Sequence, residues 1–170
     1  PSIATVNSVG FITPLKEGRV IISVTYGEET RTCPVDILTE PQYTYAYLEQ
    51  RAKEEAQLIA DNVMNDPQLK TDLERIAKAA RLINNYVGAG RETSSVPGYN
   101  QPFGTLVTFY SSCAGSTRAL GMVLELMGFQ WKHVNENQWT HQWCSLTMDG
   151  QKGYADGMAG IAGYGTHPSA

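Results

Sequence analysis

The dipeptide Asp149-Gly150, set between "QWTHQWCSLTM" and "QKGYADGM", constrains this chain more than any other feature. Asp-Gly suits a two-residue turn whose central residues need positive φ, and the alternating runs on either side then pair as a hairpin. Such a turn sets Met148 opposite Gln151 and, further out, Trp143 opposite Asp156. Side chains alternate between the two faces of a strand. Asp156 therefore shares a face with Trp143, and Cys144 falls on the other. His141 lies one diagonal step from Asp156, roughly 7–8 Å away at the backbone and within reach of its side chain. A three-residue turn would reverse Asp156.

Upstream of this hairpin the periodicity is helical. In "PQYTYAYLEQRAKEEAQLIADNVMN", Leu48, Ala52, Leu58, Ile59, Val63 and Met64 recur at helical spacing. A second helix is expected from Asp66 as N-cap and Pro67 at its first position, with Leu69, Leu73, Ile76, Ala80, Ile83 and Val87 on its buried face. Gly88 and Gly90 end it, and Gly88 to Gly104 reads as a long loop of the kind that is often functional. A third helix is expected from about Cys113 to Met127, stopped by Gly128, followed by a strand in "FQWKHVNE". Helices followed by antiparallel strands argue for α+β.

Residues 1 to about 39 differ. Val20, Ile22, Val24 and Tyr26 alternate with Ile21, Ser23 and Thr25, and Cys33, Val35 and Ile37 share a face of the next strand, with Cys33 expected to be buried. This stretch, "SIATVNSVGFITPLKEGRVIISVTYGEETRTCPVDI", resembles the second half of a bacterial immunoglobulin-like domain of group 2. That resemblance implies an all-β fragment over 1–39, a separate domain over 40–170, and an extracellular or cell-surface setting in a longer bacterial protein.

A net charge of −4 with no basic run makes nucleic acid an unsuitable partner, and no apolar run approaches the roughly 20 residues of a membrane span. Three cysteines without CxxC spacing fit neither a disulfide framework nor a zinc ribbon.

Nucleophilic catalysis by cysteine needs a thiolate, a base for its proton and a third group to orient that base. A helix N-terminus favours negative charge on sulfur. Cys113 sits at such a junction, among Ser111, Ser112, Ala114 and Gly115 and ahead of Leu120, Leu124 and Met127. The alternative is a cysteine that merely fills space. The hairpin places His141 and Asp156 to complete a triad. The same three residue types are also legitimate zinc ligands, but no fourth spaced ligand accompanies them. His133 reads as structural or exposed, and His167, in a Gly-rich tail, as solvated. Trp131, Trp139 and Trp143 read as core, with Trp143 also placed to wall the site. Tyr99, Asn100, Gln101 and Phe103 either line a substrate groove or cover the core.

The combination "SCAGSTRALGMVLELMGF…THQWCSLTMDGQKGYADG" resembles the transglutaminase-like cysteine hydrolases, a papain-related fold, over about Asp66 to Gly163. The matching residues are Cys113, His141 with Trp143, Asp149-Gly150 and Asp156. The family often has Asn where Cys144 stands, and Thr or Pro with Trp after the Asp where Gly157-Met158 stand here. No residue matches the family's second oxyanion donor, leaving the backbone N–H of Cys113 for that role.

The resemblance implies helices packed on an antiparallel sheet and a cofactor-free peptidase or amidase acting through a thioester on a protein or peptide, such as one of a cell wall or host surface. Protein cross-linking is the alternative within enzymes, and an idle binding or adhesion module the alternative outside them.

Overall fold

The computed structural model describes residues 2–7, 10, 12–27, 29–37 and 44–170. The chain divides into two units, Pro1–Tyr47 and Leu48–Ala170. The expected boundary between residues 39 and 40 lies outside the described residues.

In the first unit β1 (Ala4–Val6) pairs antiparallel with β2 (Ile12–Pro14), and β3 (Gly18–Tyr26) with β4 (Glu29–Ile37). Cys33 faces Ile22 in the β3–β4 ribbon but is exposed, which corrects the expectation of burial. Each of these sheets has only two strands, too few to bury both faces of a ribbon. Ile21 and Val24 are exposed for the same reason.

The second unit is α+β. Helix α1 (Tyr45–Met64) buries Leu48, Ala52, Ala56, Ile59, Ala60 and Val63. Leu58 and Met64 are exposed instead, because Ala56 and Ala60 complete the buried stripe. Helix α2 (Asp72–Ala89) starts later than Asp66-Pro67. Its N-cap is Thr71, which accepts from the Glu74 N–H while the Glu74 carboxylate accepts from the Thr71 N–H. This reciprocal capping box satisfies two orphan donors where a single Asp side chain satisfies one. Asp66 instead accepts from the Gln68 N–H and pairs with Lys78. Ile76, Ala80 and Ile83 are buried as expected, whereas Leu69, Leu73 and Val87 are half-buried.

The expected long loop carries structure of its own. β5 (Arg91–Glu92) pairs parallel with β6 (Tyr110–Ser111), and Gly104–Thr108 forms a π-helical turn. Helix α3 (Cys113–Leu126) follows immediately. The sheet then runs in the order β10-β9-β8-β7, with β7 Trp131–Val134, β8 Trp143–Met148, β9 Gln151–Asp156 and β10 Ile161–Tyr164, all antiparallel. α2 and α3 pack on each other, α3 on β7 and β8, and α2 on β9 and β10.

The β8–β9 register is the one a two-residue turn dictates, from Met148 opposite Gln151 to Cys144 opposite Ala155. Asp149 and Gly150 have φ of 50° and 76°. The Asp149 carboxylate also accepts the N–H groups of Asp72 and Leu73, each at 2.9 Å, and the Tyr164 hydroxyl, while its own N–H donates to Asp72. Those two N–H groups hold the Asp149 carboxyl below the usual carboxylate range. One side chain thus caps α2 from the tip of a hairpin far away in sequence.

Candidate active site

Cys113 is the first residue of α3 and is half-buried. Its N–H has no intrahelical acceptor, as at every helix start. The Ser112 hydroxyl caps the helix by accepting the Gly115 N–H, and the Ser112 N–H donates to the Tyr99 carbonyl at 3.1 Å. A Cβ on Gly115 would come within 2.4 Å of that same carbonyl oxygen. The small residue therefore lets the backbone of the 98–101 turn rest on the first turn of the helix. The Cys113 thiol lies 3.9 Å from the carbonyl oxygen of Thr140, the neighbour of His141 in the chain.

His141 stands two residues before β8, and Asp156 is the last residue of β9. Their side chains meet, with Nε2 of His141 2.6 Å from Oδ2 of Asp156. A carboxylate only accepts, so Nε2–H is the donor, and Nδ1 of the neutral ring is left as the basic nitrogen. Asp156 is fully buried. Its Oδ1 accepts the N–H groups of Met158 (2.8 Å) and Ala159 (3.0 Å). The structure thus brings His141 and Asp156 together and sets Cys113 beside Thr140.

A fourth side chain joins them. His167 is buried, not solvated, and its Nε2 lies 3.1 Å from the same Oδ2 of Asp156. It stacks on Trp143, with centroids 4.3 Å apart and planes 16° from parallel, and meets Tyr154 edge-on. The tail that carries it has no helical or strand periodicity, so burial there was not legible. The one local signal is His-Pro-Ser, in which the Ser169 N–H turns back onto His167 Nδ1 at 3.0 Å.

His141, Asp156 and His167 offer ligand atoms within 4.8 Å of one another, a set that does not include Cys113. A metal-bound histidine donates its other ring N–H to an acceptor. His167 does the reverse: its Nδ1 accepts an N–H, so its Nε2 carries the hydrogen and has no lone pair for a metal. The trio fits a hydrogen-bonded network and does not fit a metal centre.

Cys113 and His141 line one cleft of about 860 Å3, together with Tyr99, Arg118, Trp139 and Met158. Of the expected groove residues, Tyr99 and Asn100 line it. Phe103 is packed into the core at 2% exposure, because Gly98 admits its ring against the turn. Trp143 is buried against His167, and Gln101 is exposed outside the cleft with its N–H closing a turn onto Gly98. Trp139, expected in the core, is 91% exposed on the cleft rim. Arg118 donates to the Asn100 carbonyl and pairs with Glu136.

Two neighbouring groups are structural. Cys144 points to the opposite face, where its thiol reaches the Thr117 carbonyl at 3.4 Å, and burial raises its pKa well above 9.0. His133 Nε2 lies 2.7 Å from the side-chain amide oxygen Oε1 of Gln142, and burial lowers its pKa. No protein-family model matches the chain, and no curated protein matches it.

Proposed function

We propose that residues 48–170 form a cysteine acyl-transfer enzyme of the transglutaminase-like type, hydrolysing an amide bond of a protein or peptide. The observation that carries this reading is the His141–Asp156 bond of 2.6 Å at the edge of the cleft that Cys113 also lines. In this mechanism the Cys113 sulfur attacks the amide carbonyl carbon while the thiol proton passes to Nδ1 of His141. The oxyanion forms beside the open N–H groups of the α3 start, that of Cys113 among them. His141 then gives the proton to the departing amine as the C–N bond breaks and a thioester remains. Water attacks the thioester, the carboxylic acid leaves and the thiol is restored. Asp156, whose carboxylate is saturated by four donors, holds the imidazole throughout. The resemblance of residues 2–37 to bacterial immunoglobulin-like domains supports a cell-surface setting.

Alkylation by iodoacetamide tests the reading, because the chain carries its own references. Cys33 is an exposed thiol and Cys144 a buried one. Cys113 is expected to react faster than Cys33, to stay reactive below neutrality, and to slow at least about tenfold in His141→Ala. If Cys113 reacts no faster than Cys33 and ignores His141→Ala, the enzyme reading fails and a non-catalytic binding module stands. Release of a product bearing an added primary amine would mark cross-linking in place of hydrolysis.

A further inference from the structure

The chemistry just proposed, on which this inference rests, uses three side chains, and a fourth reaches Asp156 beside them. We infer that His167 is a positioning residue, whose Nε2–H fixes the Asp156 carboxylate and through it the direction of the His141 ring.

Three independent observations carry the assignment. The His167 side chain is 2% exposed and 3.1 Å from Asp156 Oδ2, so water does not compete for the bond. The Ser169 N–H occupies Nδ1, which leaves the hydrogen on Nε2, facing the carboxylate. The ring cannot turn away, because Trp143 covers one face and Tyr154 meets it edge-on at 4.8 Å. Oδ1 of Asp156 is tied by two backbone N–H groups, and Oδ2 is shared between His141 and His167. Without His167, one oxygen of a buried carboxylate keeps a single donor, and that donor is the ring whose orientation matters. Trp143 then serves the site from behind, as the platform that holds His167.

The bland reading is that His167 only fills space against Trp143. Two variants of the full chain separate the readings. His167→Phe keeps a flat ring for Trp143 and removes the hydrogen bond. His167→Gln keeps an N–H donor and removes the ring. Cys113 alkylation is followed across pH in both. The ionisable and charged groups that face the site are Cys113, His141, Asp156 and His167, with Tyr154 against the His167 ring, Glu92, Tyr99 and Arg118 in the cleft, and the buried Cys144 behind Asp156.

With a positioning role, His167→Phe slows alkylation below neutrality about tenfold and removes the low-pH limb of the profile. His167→Gln restores both to near the wild-type profile. If His167→Phe matches wild type and His167→Gln does not, packing alone is the role and the inference falls. A wild-type thiol indifferent to His141→Ala overturns the underlying enzyme reading and this inference with it. A His141-dependent thiol that ignores His167→Phe overturns this inference alone. Should His167→Phe fail to fold, the ring 15N spectrum of the wild-type protein decides. Protonated Nε2 on His167 supports the assignment, and protonated Nδ1 overturns it.

Discussion

His133 and Cys144 face each other across the β7–β8 pair, and burial moves their pKa values in opposite directions. Burial holds the His133 pKa below its ordinary 6.5. The unfolded chain takes up that proton first as pH falls, so stability is lost below 6.5. Cys144 keeps its proton in the fold while the unfolded thiol loses its own near 9.0, so stability also falls as pH rises past 9.0. Urea midpoints measured across pH are expected to form a plateau between these limits. Cys144→Ala should flatten the alkaline limb relative to wild type, whatever its absolute stability. An unchanged alkaline slope would contradict the burial assigned to this thiol.

At the scale of elements, α3 and the 98–101 turn meet through a position with no side chain. A Cβ on Gly115 would collide with the backbone carbonyl of Tyr99, which cannot rotate aside as a flexible side chain would. Gly115→Ala is expected to destabilise the fold by about 1–3 kcal/mol and to slow Cys113 alkylation, because the helix start must shift. Gly88→Ala is the control: a Cβ there meets nothing within 4 Å, and its melting temperature should stay at or above that of wild type.

The hairpin and α3 were legible in the sequence for a physical reason. Asp149-Gly150 and the small residues around Cys113 act on their immediate neighbours, so parity alone carried His141 and Asp156 to one place. The start of α2 was misread because Asp66-Pro67 is a sound local signal outcompeted by the Thr71–Glu74 box five residues on. His167 and Trp139 were misread because their exposure depends on where a tail and a loop come to rest, which no local pattern encodes.

Across the whole molecule, the two units differ in what they bury. Residues 48–170 enclose a core beneath the sheet, whereas the ribbons of the first unit leave Ile21, Val24 and Cys33 open. Strand alternation in β3 and β4 was readable, but burial needs a covering layer, and alternation says nothing of one. The Asp72–Asp149 clasp raises a different matter, since it joins residues 77 apart. Closing a loop of that length carries an entropy term of about 4 kcal/mol, and a few polar bonds at the surface do little to offset it until the core has already brought the ends together. The clasp is therefore expected to form late in folding, after the transition state. In stopped-flow chevrons Asp149→Asn, which keeps a residue suited to the positive φ of the turn but removes the carboxylate that clasps α2, should leave the refolding arm in place, with the loss appearing as faster unfolding. The hairpin tip would then act as a latch on lifetime: it governs how long the folded state persists and has no part in how quickly it is reached.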